Sequence, residues 1–442
     1  MSVTSVSVAL AGDCMVTRDG LVDAHEQSTG LQSILVDADV SVANLEVVPN
    51  GWVGHPASDP WGGLLVAEPS VLDELRALGI DAVSCANNHA LDMSIDGMQA
   101  TVRELERRRL PYAGIGETLT DARMPCYVEG SVALISVTTS YLPGQDATES
   151  STQLRGRPGV NPLRHTRTIE VTREQLDAVR AMDLATGLAA QRADLVDLIG
   201  SDPWSADPDA FSFLGTRFRV ADQPGVVTSC HPDDLEDHAR WVREARLRSD
   251  VVVVSVHSHD CGATVREPAQ FVREFAHRMI DAGAHVVACH GPHTLRGIEL
   301  YAGRVILYGL ANLVSQHELV ARLSGEQVDQ VLARGRVTPG QYFRVRSEIE
   351  TRGVAAHPRY WQSIVATVAV VDDVVTDLTV RPVSLGFGQP VHRRGRPRLA
   401  VDAEAGDILA TVATLSAAFD CKLEVDDSGR YLVARAVLPA PS

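Results

Sequence analysis

The stretch VVVVSVHSHD, residues 251–260, runs from a valine-rich hexapeptide directly into His257, Ser258, His259 and Asp260. A short, nearly continuous run of valine is what a strand buried on both faces requires, and such strands belong to sheets covered by helices on either side. The polar residues stand where that strand must stop. In open α/β sheets ligands bind outside the carboxyl ends of the strands, so residues placed there converge even when they are far apart in sequence. Working outward, the same arrangement recurs four times. SVALAGD ends in Asp13, SVANLE in Glu46, AVSCANNH in Asn87, Asn88 and His89, and AHVVACHGPH in His290 and His293.

The apolar runs predict strands at 3–11, 40–45, 82–85, 132–137, 251–256, 285–289 and 305–310. Helical periodicity appears between them at 70–78, 95–109, 235–246 and 268–282. Alternation of strand and helix makes the class α/β. Two stretches break the rhythm. Residues 141–232 are rich in Pro, Gly and charge, with a helical pattern over 173–198 and aromatic residues Trp204, Phe211, Phe213 and Phe218, and read as an insertion. Residues 315–361 read as a helical insertion or lid with a loop at 340–343. Strands resume at 364–371 and 378–382, followed by a helix over 406–419 and a hairpin turning at 427–429. The expected organisation is a core over 1–314, the lid over 315–361, and a closing segment over 362–442.

Two carboxylates, an amide oxygen and three or more imidazoles form a mixed oxygen and nitrogen donor set. That set suits one or two divalent ions of Mn, Zn, Fe or Ni rather than the all-oxygen cages of Ca or Mg. Any one of these residues alone reads more simply as a turn residue or helix cap. Their joint placement after five strands points to metal, because gathering this many ionisable groups is costly unless something compensates them.

Composition narrows the partners. A formal charge of −17 and a pI near 5.3 exclude broad contact with nucleic-acid backbones, which depends on clustered Lys and Arg. The beginning of the chain reads as a strand rather than a signal peptide, and no stretch approaches the roughly 20 apolar residues that span a bilayer. The expectation is a cytoplasmic protein without a membrane partner. The seven cysteines are scattered and contain no CxxC pair, so neither a disulfide framework nor a zinc knuckle is indicated.

The segments AGDCMVTRDG, ANLEVV, ANNHALDMSIDGMQATVREL with the following GIG, VVVVSVHSHD, and DAGAHVVACHGPHTLRGIELYAGRVILYGLANLV resemble, in this order, the CapA-like branch of the calcineurin-like metallophosphatases. These are proteins of capsule and poly-γ-glutamate synthesis. The resemblance implies layered sheets flanked by helices, and makes Asp13, Glu46, Asn88, His257, His290 and His293 metal ligands. It makes His89 the acid-base histidine. Asp92 then either holds one nitrogen of His89 or caps the following helix, and Arg18 and Asn87 become candidate substrate contacts. One departure matters: the phosphatase pattern Asp-x-His is absent, since Asp13 is followed by Cys14 and Met15. A second is the pair His259 and Asp260, which adds acid-base groups after the fourth strand.

Three enzymatic readings follow. One is phosphate-ester hydrolysis, one a role in polymer synthesis at the cell surface. The third is proton transfer at a Cα, as in the lasso-peptide epimerases, which this chain also resembles and which invert the last residue of a ribosomal precursor peptide. The third is the expectation carried forward, with His89 and His259 as the proton-transfer pair, Asp260 as a substitute, and a peptide as partner. A binding-only role is the non-enzymatic alternative.

Overall fold

The computed structural model describes residues 5–23, 25–58, 63–200, 207–330 and 337–438. Two large sheets form its centre. The first runs Leu423–Asp426, Val433–Ala436, Val374–Ser384, Gln362–Val371, Ser5–Met15, Val40–Asn44, Ala82–Ser84, Tyr112–Ala113, and Asn312–Ser315 also pairs with Ser5–Met15. The second runs Ile298–Tyr301, Arg304–Leu307, Val286–His290, Val251–His257, Val132–Thr138, Cys126–Val128.

The two-residue period of a strand explains the layering. Val6, Val8 and Leu10 point from the first sheet into a core shared with Val253, Val286 and Leu307 of the second. Ala9 and Ala11 point the other way, toward Leu31 and Leu35 of the helix Glu26–Asp37 and Leu72 and Leu75 of the helix Val71–Leu78. On the far side, Val252, Val254 and Val287 pack against Val242, Phe271, Phe275 and Met279 from the helices Pro232–Arg246 and Gln270–Asp281. Full burial of each such side chain is worth roughly 1.5–3 kcal/mol, so register is strongly specified on both faces. The class is α/β, with the layers helix, sheet, sheet, helix.

Register also aligns the polar strand ends. His257 pairs with His290 across neighbouring parallel strands, and Asp13 pairs with Asn44 on one side and Asn312 on the other. The first strand does not stop at residue 11 as predicted; irregularities in its pairing on both sides of Asp13 let it continue to Met15. Gly12 makes this possible. A Cβ there would sit 1.8 Å from the Ala311 carbonyl oxygen, so only glycine allows the two backbones to meet.

Other expectations change in detail. The helix over 173–198 is two helices, Arg173–Ala185 and Leu188–Ile199, divided at Gly187 with φ 77°. The stretch 340–343 lies inside a helix, Pro339–Arg346, because Thr338 caps the Gln341 backbone and Gln341 caps Thr338 in return. The strand placed at 305–310 ends at Leu307. Phe211, Phe213 and Phe218 belong to a separate four-stranded sheet, where Arg180 and Arg192 flank the Phe211 ring at 5.8 and 5.4 Å. These rings line no cavity at the strand ends; Trp204 lies outside the described residues.

Candidate metal centre and active site

Asp13 and Glu46 are completely buried; Asp13 stands where the pairing of the first strand is irregular on both sides, and Glu46 lies two residues past the end of the strand Val40–Asn44. His257 arrives from the second sheet, with Nδ1 3.8 Å from Asp13 Oδ1 and Nε2 3.6 Å from Glu46 Oε1. His293 reaches the same carboxylates, Nδ1 lying 3.3 Å from Asp13 Oδ2 and 3.8 Å from Glu46 Oε2. The Asn88 side-chain oxygen is 2.7 Å from His257 Nε2 and 3.3 Å from His259 Nε2. Two sets of donor atoms are close enough to share an ion: Asp13, Glu46 and His257, and Glu46, His259 and His293. Glu46 belongs to both.

The turn after the fifth strand end is built for this approach. Gly291 has φ 110°, a Cβ there would lie 2.9 Å from the Ser258 backbone, and its N–H donates to Asp13 Oδ2 at 3.1 Å. His290, one residue earlier, is buried with no partner for Nδ1 among the described residues. It sits near Asp13 but outside the two tightest donor sets.

Electrostatics identify what the site lacks. Burial, with Asp13 adding to it, pushes the Glu46 carboxyl up to about 8. Burial acts the same way on Asp13, but the hydrogen bond and charge of His293, with His257 and His290, hold it well below the usual carboxylate range. Burial disfavours a charged His293, yet Glu46 and Asp13 raise it to about 9. Both Glu46 oxygens are buried without a hydrogen-bond partner among the described residues. An unpaired buried carboxylate costs several kcal/mol. A cation bound between Glu46, Asp13 and the imidazoles removes that cost, so the residues fit a divalent transition metal. Cys14 does not join them: burial and the two carboxylates raise its thiol well above the ordinary range, and its Sγ faces the Gly12 carbonyl.

His89 stands at the edge of this cluster. Its Nδ1 is 2.8 Å from Asp92 Oδ2, which also accepts the Leu65 N–H at 2.6 Å. The next helix starts at Ser94 with Met93 at its N-cap, so Asp92 faces His89 instead of capping that helix. Two cavities open on either side of His89 and His293. One, about 530 Å³, is lined by Asn88, Asp92, Tyr141, Leu142 and His259. The other, about 280 Å³, is lined by Met15, Leu65, His317, Phe343, Arg346 and Val354, so residues of 315–361 form its wall. That wall is fastened by Arg394, which donates to both Glu318 oxygens at 2.8 Å.

The remaining sequence candidates lie as follows. The Asp260 carboxylate accepts from the Thr139 hydroxyl at 3.0 Å and Ser258 at 3.3 Å, turned toward the second sheet. Asn87 is buried, donating to Asn44 Oδ1 and the Leu45 carbonyl while its oxygen accepts the His89 N–H, which makes it a brace beneath the site. The Arg18 side chain is exposed and lines neither cavity.

Sequence reasoning passed over three polar residues. Asn44 donates to Asp13 Oδ1 at 2.8 Å and lies 3.2 Å from His257 Nδ1. Asn312 places Oδ1 2.8 Å from His293 Nδ1. His317 lines the smaller cavity with His89. Asn44 carried a signal, since it lies two residues before Glu46 at a strand end; Asn312 opens, and His317 follows, the strand Asn312–Ser315, which the hydrophobic pattern did not reveal. No helix among the described residues is long and apolar enough to cross a membrane.

The model of the bacterial capsule synthesis protein family, PGA_cap, matches residues 7–317, which include every residue of the metal cluster. An uncharacterized protein of Sinorhizobium fredii, y4sH, is 30% identical over 96% of this chain and 92% of its own length. The PGA biosynthesis protein CapA of Bacillus subtilis is 24% identical over 54% of this chain and 44% of that protein. A probable polyglutamine synthesis accessory protein of Mycobacterium tuberculosis is 33% identical over 30% of this chain and 36% of its own length. With a match across well over half its length, the chain belongs to the bacterial capsule synthesis protein family PGA_cap.

Proposed function

We propose that this chain is a metal-dependent peptide epimerase with a site of the calcineurin-like metallophosphatase type, inverting the Cα of the carboxyl-terminal residue of a lasso-peptide precursor. The observation that carries the reading is His89: Asp92 fixes one ring nitrogen, and the ring lines a cavity that His259 also lines. An imidazole oriented through one ring nitrogen, with the other facing a cavity, is the usual general base. Bound at Asp13, Glu46, Asn88, His257, His290 and His293, a divalent metal would supply Lewis-acid polarisation of the substrate's terminal carboxylate or preceding carbonyl oxygen.

In this reading the Cα–H bond breaks, the proton passes to His89, and the electron pair moves toward the carboxyl group. His259, which must enter the step protonated although burial and the nearby His293 push its pKa down to about 3, then returns a proton to the opposite face of Cα; His89 gives its proton to solvent and His259 takes one up, so the balance closes. Asp92 holds the charge that His89 acquires. Tyr141 and Leu142 help close the larger cavity over the reacting residue. The Glu318–Arg394 pair keeps the wall of the smaller one in place.

A second reading is favoured by one distance set. His259 lies within ligand reach of Glu46 and His293, as well as 3.3 Å from His257 Nε2. As a ligand it would complete a hydrolytic centre of two ions, making the protein a phosphoesterase or other hydrolase. Relatives named for PGA biosynthesis and for polyglutamine synthesis support a peptide-like substrate for either chemistry. Against hydrolysis stands the first strand end, where Met15 lines the smaller cavity and no histidine follows Asp13.

The deciding experiment incubates the purified protein in D2O with a lasso-peptide precursor, with and without chelator. Mass and stereochemistry of the last residue are then followed. A gain of one dalton with inversion, abolished by chelator, is expected. Ester or amide cleavage without deuterium uptake would overturn the proposal in favour of hydrolysis.

A further inference from the structure

The helix Leu188–Ile199 stands on the insertion with none of its 12 residues buried. A helix of that length is marginal in water by itself, and in proteins its stability comes from packing an apolar face. This helix has such a face and leaves it open. Leu188, Leu195 and Leu198 fall on one stripe at helical spacing, and Ile199 lies beside them. Leu198 is 82% exposed and Ile199 56%. Neither the metal centre nor the proposed reaction uses this surface.

The two halves of the stripe differ in shape. Along the first half, Leu188, Gln191 and Leu195 line one wall of a concavity of about 500 Å³, whose other wall holds Phe213, Leu214 and Arg217 of the hairpin pairing Ala210–Phe213 with Thr216–Val220. Leu214, at the tip of that hairpin, is 75% exposed. Along the second half, Leu198 and Ile199 stand in solvent and line no part of the concavity. A hollow and a projection at opposite ends of one helix complement each other when the helix meets its own copy running the other way. A two-fold axis then seats Leu198 of each copy in the hollow of the other.

Charge follows the same pattern. Arg217 has no carboxylate partner among the described residues, and the exposed Asp194 and Asp197, on the flank of the projecting half, have no basic one. The antiparallel arrangement that seats Leu198 brings Asp194, one turn before it, toward the rim where Arg217 stands, and does so twice in the dimer. An anionic lipid surface would be repelled by the same two carboxylates, so charge favours a second copy over a membrane. Size sets the strength. Two helices about 18 Å long, packed together with the hairpin tips, cover on the order of 1,000–1,200 Å² in total, the lower limit of a specific interface. Such a dimer forms at micromolar concentration and is not obligate.

We propose that two copies of this chain associate through this face of the helix Leu188–Ile199, Leu198 of each filling the concavity of the other and Arg217 pairing with Asp194 across the axis. The inference does not rest on the reaction proposed above, because association is read without turnover. The test measures the mass of the full chain by sedimentation velocity from low to high micromolar concentration. A reversible shift from monomer to dimer is expected. Leu198→Glu, whose side chain is exposed in the monomer and should leave its thermal melt unchanged, should weaken association at least tenfold. Arg217→Asp and Asp194→Arg should each weaken it as well, since each sets like charges together at both ends of the axis. Mixed in equal amounts, these two variants should associate again, because their heterodimer regains an opposite pair at each end. A chain that stays monomeric throughout overturns the inference, and so does a Leu198→Glu variant that associates as the parent does. Failure of the mixture to recover would refute the antiparallel pairing. A chain that stays monomeric but sediments with phosphatidylglycerol vesicles would give the face to a lipid surface instead.

Discussion

His89 Nδ1 and Asp92 Oδ2 lie 2.8 Å apart, three residues from each other in a turn that precedes a helix without capping it. The carboxylate also accepts the Leu65 N–H, so it is held from two directions. That contact fixes which nitrogen of His89 is turned toward the cavities, and the first prediction rests on it.

Asp92→Asn should lower kcat by about 10²–10⁴ with little change in KM, because an amide can present the wrong partner to the imidazole and leaves an imidazolium unsupported. Steady-state kinetics beside a thermal melt checks this. An unchanged kcat in a folded variant would remove His89 from proton transfer.

Glu46→Gln should separate metal binding from folding. In chelator the variant should be at least as stable as the parent, gaining up to about 2 kcal/mol, since a buried carboxyl group with no hydrogen-bond partner among the described residues is replaced by a neutral amide. On adding Mn or Zn the parent melt should rise and the variant's should not. Equal metal-induced shifts in both would place the ion elsewhere.

Gly291→Ala should cost about 1–3 kcal/mol and weaken metal binding together, since the residue has φ 110° and its new methyl would press on the Ser258 backbone. The same turn carries His290 and His293 and donates to Asp13. Denaturant melts and metal titration both read it. A variant with parental stability would contradict the crowding described.

His285 gives a pH dependence outside the metal cluster. Its Nδ1 accepts the Val252 N–H at 3.0 Å and its Nε2 donates to Asp373 at 2.7 Å, which fixes a neutral ring. Burial, with Arg304 adding to it, pushes its pKa down from 6.5 to about 4. Below pH 6.5 the unfolded chain takes up a proton that the folded ring refuses. Stability from this residue is therefore complete above 6.5 and falls by about 3 kcal/mol as the pH drops to about 4. Unfolding free energies of the parent and of His285→Asn at several pH values test it; identical slopes would refute the assignment.

Much of the site was legible before any coordinates because of where the valine runs stop. A strand buried on both faces does not carry Glu46 or His257 in its middle, and Asp13 is accommodated near the end of its strand where the pairing becomes irregular; parallel strands bring these ends together. What the sequence could not reveal were the contacts made across the ladder. Asn44 and Asn312 meet Asp13 and the imidazoles only because register sets them beside Asp13, and Asn312 opens a strand of four residues, too short to show a hydrophobic period. The aromatic residues around Phe211 stood in a stretch that read only as an insertion, and local hairpin pairing carries them into their own small sheet.

The sequence by itself determined the α/β class, the strand ends and the ligand types, since these follow from local periodicity and donor chemistry. Only the tertiary structure decided that Asp92 faces His89, that His259 stands within reach of Glu46, and that residues 315–361 wall one side of the site. The first depends on where the following helix begins, at Ser94 and not at Asp92; the other two depend on the packing of one sheet against another and on segments hundreds of residues apart, which no pattern within a single segment records.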